Sequence, residues 1–264
     1  MPRFAVLGLA VFLAASAAAL GVDDPKPLSV RVLTYNIHHG AGVDGKLDLA
    51  RIAKVIAAVE PDLVSIQEVD QKVERSEKID QPAELMRLTK MHGAFGGNLP
   101  LQGGEYGNLI LSRWPIASSR NHALPALTEG EPRGALEVEV ELPQGMGRLT
   151  FLATHFDHRS ADGERVASAK LLNELSTQPL ALLAGDLNDT PSSQTLKTLG
   201  SVWTVTNDAP RLTTPVGKPT RQIDFVLYKP SNRWQTSETR VLDEAVASDH
   251  RALLAVLQLS PSTK

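Results

Sequence analysis

The sequence predicts a mixed α+β chain folded as one domain, on three observations. Apolar, β-branched runs recur along the chain and stop at polar residues. Segments with apolar residues at helical spacing lie between several of them. After residue 30 no repeat, low-complexity tract or linker divides the chain. At 264 residues, 42% of them apolar, it can bury a sizeable core.

The N-terminus reads as a cleavable secretory signal over residues 1–21. Arg3 precedes an uncharged run from Phe4 to Leu20, with small residues at Ala17 and Ala19. Cleavage after Ala19 or after Gly21 fits equally well. A retained membrane anchor is the alternative, but the run contains Gly and Ser and is barely long enough to span. An acidic, Pro-containing spacer over residues 22–29 leads into a domain over 30–260. The expectation is export to the periplasm or the extracellular space. With no cysteine present, no disulfide and no lipidated N-terminal Cys are available, so the fold relies on its core, and a bound metal would help it.

Taken in order, residues 28–37 alternate and are β-branched, which predicts a strand ending at Asn36, His38 and His39. Residues 48–59 place Leu49, Ile52, Ala53, Val55, Ile56 and Val59 at helical spacing before Pro61. A second buried strand, 62–70, finishes near Glu68. Residues 71–91 are charged and helix-forming, and 93–106 are turn-rich. Residues 107–113 read as a strand. Strands 135–142 and 148–154 form a hairpin across Pro143-Gln144-Gly145-Met146-Gly147, and the second runs into His155. A helix over 163–175 precedes the apolar run 180–184, which reads as a strand buried on both faces. Gly185 then lets the backbone turn into Asp186-Leu187-Asn188-Asp189. A short helix over 192–199 and an irregular stretch over 202–220 follow, and strands at 221–228 and 252–259 complete the chain.

The strand ends thus deliver Asn36, Glu68, Asn108, His155, Asp186, Asn188, Asp224, Asp249 and His250. Gly-Asp-x-Asn-Asp alone is equally ordinary turn chemistry, since Asp and Asn bond their own backbone in turns. What weighs the other way is the matching set at other strand ends. Asp224 lies within an apolar run, so it needs a partner, and His250 is the candidate. Hard oxygen donors without thiolate favour Mg²⁺ or Mn²⁺ over zinc. No P-loop or dinucleotide glycine loop is present. Carboxylates able to hold a divalent cation, beside an Asp–His pair, are what phosphoester hydrolysis requires. Asn108 fits a turn cap as well as a substrate contact. Arg75 and Arg133 are possible bidentate donors to a phosphate, although a surface ion pair suits each. His38, His39, Asp157 and His158 flank these positions as solvated loop residues or as substrate contacts. A net charge of −3 lacks the basic footprint of a dedicated nucleic-acid binder, although small secreted nucleases do without one.

The ordered set Thr34-Tyr35-Asn36, Gln67-Glu68-Val69-Asp70, Thr154-His155-Phe156, Gly185-Asp186-Leu187-Asn188, Ile223-Asp224-Phe225 and Ser248-Asp249-His250 resembles the endonuclease/exonuclease/phosphatase superfamily over residues 30–259. The resemblance implies an α+β fold, a two-sheet β-sandwich flanked by helices in four DNase-I-like layers, with the active site at the strand ends along one edge. It implies Glu68 as principal metal ligand, with Asn36 beside it and Asp249 available to the same or a second cation. By the same resemblance Asp186 deprotonates the attacking water, Asn188 and Asn36 position the phosphate, and His155 and His250 donate to phosphoryl oxygens. Asp224 would orient His250 and raise its pKa. Tyr35-Asn36-Ile37-His38-His39-Gly40 with the Glu68 motif is similar to an exported or membrane-associated branch linked to sphingomyelin and glycosylphosphatidylinositol lipids. The expectation is a monomeric Mg²⁺-dependent phosphodiesterase taking a small phosphodiester or a phospholipid head group at a membrane surface. A secreted nuclease is the alternative enzyme, and a binding module of the same fold that has lost its chemistry is the third reading.

Overall fold

In the computed structural model, residues 1–2, 26–175 and 178–261 are described. Nearly all of the expected signal segment and the first half of the spacer, residues 3–25, lie outside the described residues. β1 (Leu28–Asn36) is joined by α1 (Leu49–Ala57) to its parallel neighbour β2 (Leu63–Gln71). Asp48 caps α1 by accepting the Arg51 N–H at 2.8 Å. After α2 (Gln81–Thr89) come β3 (His92–Leu101), β4 (Gly104–Ser112) and β5 (Ile116–Ala123). The hairpin of β6 (Gly134–Leu142) and β7 (Gly147–His155) follows, and α3 (Gly163–Leu175) carries the chain from β7 to the parallel β8 (Ala181–Asp186). The chain ends with α4 (Gln194–Leu199), β9 (Thr204–Val205), β10 (Asp224–Lys229), β11 (Trp234–Val241) and β12 (Leu253–Leu259).

These strands form two six-stranded sheets, ordered β11-β12-β1-β2-β4-β3 and β5-β6-β7-β8-β10-β9. Strand alternation sorts the apolar residues into three cores. Val30, Val32, Phe151, Leu182, Val226 and Leu257 interleave between the sheets. Their neighbours Leu33, Val64 and Leu254 point outward against Ile52 and Ile56 of α1. On the far side Leu152, Leu183 and Leu227 pack on Ala169, Leu172 and Leu196 of α3 and α4. The result is helices, sheet, sheet, helices, the four-layer α+β sandwich implied by the motifs.

The two parallel pairs aim their C-terminal ends the same way. Asn36 closes β1, His155 closes β7 and Asp186 closes β8, while the antiparallel β10 begins there with Asp224. Register enforces the juxtaposition, since His155 pairs with Asp186 and Asp186 with Asp224. The sheets are tied below this edge by the Ser65 hydroxyl, which donates to the Ala184 carbonyl at 2.9 Å.

Several sequence expectations change. The turn-rich 93–106 contains β3 and the start of β4, and 71–91 is helical over α2 and a single 3-10 turn at Glu74–Ser76, with left-handed residues at Lys72, Glu77 and Lys78. β5 and β11 had no strand signal. All of β3, β5, β9 and β11 are sheet edges, where one side faces solvent and polar residues, Gly and Pro are tolerated. Gly185 does not turn the chain: it sits within β8 between Thr154 and Phe225, and the left-handed residue is Asn188. Its lack of a side chain is required by proximity, because a Cβ there would run into the Thr154 carbonyl oxygen. Gly185→Ala should therefore force β7 and β8 apart and cost ~1–3 kcal/mol. A thermal melt lower by several degrees is the expected result, and an unchanged melt would remove this account of Gly185.

Candidate active site

The sandwich edge opens into a cavity of about 470 Å³ lined by Glu68, Asp186, Asn188, His155, His250, Arg133 and Arg75, with His38, Tyr106 and Leu99 among the remaining walls. Glu68 is not at a strand end, as its motif suggested, but on a bulge inside β2. Ile66 pairs with Leu109 and Val69 with Gly107, so Gln67 and Glu68 together oppose Asn108. The left-handed backbone of Glu68, φ 59°, is the strained element of that bulge.

Asp186 is the centre of the site, with 1% of its surface exposed. Its Oδ2 accepts from the Asn36 amide at 3.2 Å and lies 3.5 Å from His155 Nε2 and 3.7 Å from His250 Nε2. Its Oδ1 accepts the backbone N–H of Asn188 at 2.9 Å, made possible by the left-handed turn there. Burial, then the charge of Asp224, pushes the Asp186 carboxyl up to about 7 against the pull of His250. The same Asn36 amide donates to Glu68 Oε1 at 2.9 Å, so one side chain spans two carboxylates from different sheets.

His250 and His155 face Asp186 from opposite chemical settings. His250 Nδ1 lies 2.9 Å from Asp224 Oδ2, which also accepts from Thr213 Oγ1 at 2.5 Å. Burial alone would lower the His250 pKa, but Asp224, Asp186 and Asp249 outweigh it and raise it to about 10. At neutral pH this ring is an imidazolium whose Nε2–H points towards Asp186. His155 Nδ1 instead lies 2.9 Å from Arg133 Nη1. A guanidinium can only donate, so Nδ1 accepts and the single proton of a neutral ring sits on Nε2. Burial, reinforced by the charges of Arg133 and His250, holds His155 well below the ordinary imidazole range. Asn188 Nδ2 donates to the Phe156 carbonyl at 3.1 Å and also lies 3.0 Å from His155 Nε2, so two donors compete for the one lone pair of the neutral ring, and the charged guanidinium at Nδ1 is the stronger of them.

The remaining expected residues separate. Asp249 is half-buried beside this group, with its Oδ1 accepting from Ser248 at 3.3 Å, and does not line the cavity. Asn108 is no turn cap: it lies buried within β4, donates to the Gly134 carbonyl at 3.0 Å and joins β4 to β6 beneath the cavity. Arg133 is not a surface residue, because it is 8% exposed and bonded to His155, Glu131 and His158. Arg75 pairs with the fully buried Asp70 in the cavity wall. His38 and the exposed His158 reach the cavity. Tyr106 and Thr213 are site residues that carried no sequence signal, one in a turn-rich stretch and the other in the irregular 202–220.

A divalent cation fits this donor set. Three carboxylates, Asp186, Asp224 and Asp249, gather around one protonated imidazole, Glu68 lines the same cavity, and Asp224 Oδ1 is buried without a hydrogen-bond partner among the described residues. Asp186, Asp224 and His250 have ligand atoms within 4.8 Å of one another. That trio is a poor seat for a cation, because His250 is protonated and its Nδ1 is engaged by Asp224. Glu68, Asn36 and Asp249 are oxygen donors free of that conflict. Asn36 Oδ1 accepts only the His38 N–H, at 3.0 Å, and keeps one lone pair.

The two histidines should differ in nitrogen NMR spectra of the metal-free chain. At pH 7.5 His250 should appear as imidazolium and His155 as the neutral Nε2–H tautomer, and Arg133→Met should release that tautomer preference. The linkage signs are opposite. His250, raised in the folded state, contributes stability below about 6.5 that is lost as pH climbs towards 10. His155, lowered in the folded state, contributes stability above about 6.5 that is lost on acidification. A His155 ring titrating with an ordinary midpoint would overturn this assignment.

Comparison with known proteins agrees with this geometry. The model of the Endonuclease/Exonuclease/phosphatase family matches residues 33–250. The uncharacterized protein YbhP of Escherichia coli K12 is 26% identical over 252 residues, covering 90% of this chain and 99% of that protein. Among solved structures, an endonuclease/exonuclease/phosphatase from Beutenbergia cavernae superposes with a TM-score of 0.75 at 26% identity, covering 88% of this chain and 72% of that one. Bt3783 of Bacteroides thetaiotaomicron, a mannosyl-6-phosphatase, superposes with a TM-score of 0.71 at 18% identity over 86% of this chain and 99% of its own.

Proposed function

We propose that this chain, which belongs to the endonuclease/exonuclease/phosphatase family, is a divalent-metal-dependent phosphodiesterase acting on a phospholipid head group or another small phosphodiester. The activities in the family's description all hydrolyse phosphoester bonds, and the chain is a phosphoester hydrolase of that family. The observation that carries the finer reading is the convergence of His155 Nε2, His250 Nε2 and the Asn36 amide on one buried oxygen of Asp186, across a cavity from Glu68.

Glu68, Asn36 and Asp249 would hold Mg²⁺ or Mn²⁺, and the bound cation would neutralise phosphoryl charge as a Lewis acid. Asp186 takes the proton of the attacking water at Oδ2, and an elevated pKa suits a base working near neutral pH. His250, held by Asp224, donates its Nε2–H to a phosphoryl oxygen as charge develops there. Neutral His155 donates its own Nε2–H from the other side, with Asn188 steadying the loop between them. The ester oxygen leaves as the new P–O bond forms, in line with the water.

A small diester is favoured over a polymer because the cavity is the size of a single small ligand. The chain also carries no basic stripe to track a polyanion. A phosphomonoester is the second reading, supported by the mannosyl-6-phosphatase of similar fold. Intact Glu68, Asp186, Asp224 and His250 weigh against a module that only binds. With Mg²⁺ present, a choline-type phosphodiester, nitrophenyl mono- and diesters and plasmid DNA should be compared across a salt series. Turnover of the lipid-type diester with weak salt dependence is expected. Plasmid cleavage falling steeply with salt, with lipid esters untouched, would establish the nuclease instead. Glu68→Gln should weaken Mg²⁺ binding in calorimetry and abolish turnover, and Asp186→Asn should lower the rate by roughly 10²–10⁴.

The same reading places the enzyme outside the cytoplasm, supported by the charged, apolar and small-residue order of residues 1–21. N-terminal sequencing should find mature protein beginning near Leu20 or Val22. Recovery of Met1 or Pro2 on exported protein would exclude cleavage.

A further inference from the structure

The cavity has a chemical end and a recognition end, because the two sheets present their strands in matched rows. β1 and β2 face β8, as the Asn36–Asp186 and Ser65–Ala184 bonds show, and β4 faces β6 through Asn108 and the Gly134 carbonyl. Asp224, Asp186, Asn36 and His250 thus occupy one end. At the other, β3 and β4 supply Leu99, Leu101 and Tyr106, and the turn after β2 supplies Arg75.

Arg75 is held there by three contacts. Its Nε and Nη2 bond side-on to the two oxygens of Asp70, each at 2.9 Å, and Asp70 has no exposed side-chain surface. Its guanidinium carbon lies 5.3 Å from the centre of the Tyr106 ring. Its backbone N–H donates to Gln102 Oε1 at 2.9 Å, which fastens the turn to the β3–β4 hairpin. The end-on edge of the fork, Nη1 and the second Nη2 hydrogen, has no partner among the described residues, although Arg75 lines the cavity. A guanidinium immobilised on one edge and open on the other fits a planar or tetrahedral oxyanion bidentately. Arg133 is closed by comparison, since its Nη1 faces His155 and Glu131, its Nη2 faces His158, and its Nε, unpartnered among the described residues, is buried away from the cavity surface.

We propose that Arg75 recognises a second oxyanion, carried by the substrate's head group at the end of the cavity away from Asp186. The preferred substrate is then a phosphodiester whose head group bears a carboxylate or phosphate of its own. This rests on the phosphodiesterase reading and adds the class of head group to it.

Glycerophosphoserine and glycerophosphoethanolamine differ by one carboxylate, and their hydrolysis by the Mg²⁺-loaded protein tests the idea in solution. The corresponding phosphatidyl lipids in phosphatidylcholine vesicles test whether the same preference holds at a membrane. The expected result is a kcat/KM ratio of about tenfold or more favouring the serine ester, the scale of a charge-assisted bidentate pair. Arg75→Met should collapse that ratio, and Arg75→Lys should retain only part of it. Competitive inhibition of the nitrophenyl ester by O-phosphoserine and O-phosphoethanolamine should show the same ratio and the same loss. Equal treatment of both diesters and both inhibitors by the unaltered protein overturns the proposal, whatever the variants do, as does a preference that survives Arg75→Met. If neither diester is cleaved but O-phosphoserine still inhibits selectively through Arg75, the diesterase reading fails and the oxyanion site stands.

Discussion

The buried carboxylate of Asp186 governs the structure around it. An ionised group with almost no exposed surface is costly unless donors surround it, and the fold supplies them from four separate segments. Asn36 comes from β1, His155 from β7, Asn188 from the turn after β8, and His250 from the approach to β12, with Asp224 of β10 behind the last. Every one of those segments must reach the same edge. Two parallel pairs with helical crossovers, set face to face, meet that demand, because parallel neighbours bring their C-terminal ends together.

The polar tie between Ser65 and Ala184 follows from the same geometry. The inter-sheet space is filled by Val, Leu and Phe at depth and turns polar towards the edge, through Thr34, Ser65 and Gln67. Gln67 donates to the Ser65 hydroxyl at 2.7 Å, so that hydroxyl is satisfied in both roles while it donates to Ala184. The bonded groups below Asp186 hold the sheets at a fixed separation where catalytic distances are set, and dispersion alone would be less exacting about that separation.

The sequence made the central strands legible for a plain reason. β1, β2, β7, β8, β10 and β12 are buried on both faces and read as apolar runs that end in polar residues. Their ends therefore announced Asn36, His155, Asp186, Asp224 and His250. Edge strands bury one face at most, so Ser118-Ser119-Arg120 of β5 and the polar alternation of β11 look like surface loop. Arg133 reads as a surface residue because the histidines that bury it, His155 and His158, lie more than twenty residues further along the chain. Tyr106 gained meaning only when the hairpin brought it beneath Arg75.

The bulge at Glu68 gives β2 two frames. Before it, Val64 and Ile66 face the helices and Ser65 and Gln67 face the other sheet. Beyond it the helix-facing position has moved to Val69, and Asp70 turns back towards Arg75. Unbroken alternation from Val64 and Ile66 would have put residue 68 where Val69 now packs. The extra residue thus does two things at once: it frees Glu68 from the ladder and shifts everything downstream by one. Straightening β2 with every residue kept would exchange inside for outside beyond this point, turning Asp70 towards the helices and Val69 towards the cavity, whereas deleting Glu68 would restore plain alternation, leave Val69 and Asp70 in place and cost the site its carboxylate. Length, at this point in the chain, is as much a part of the site as any side chain.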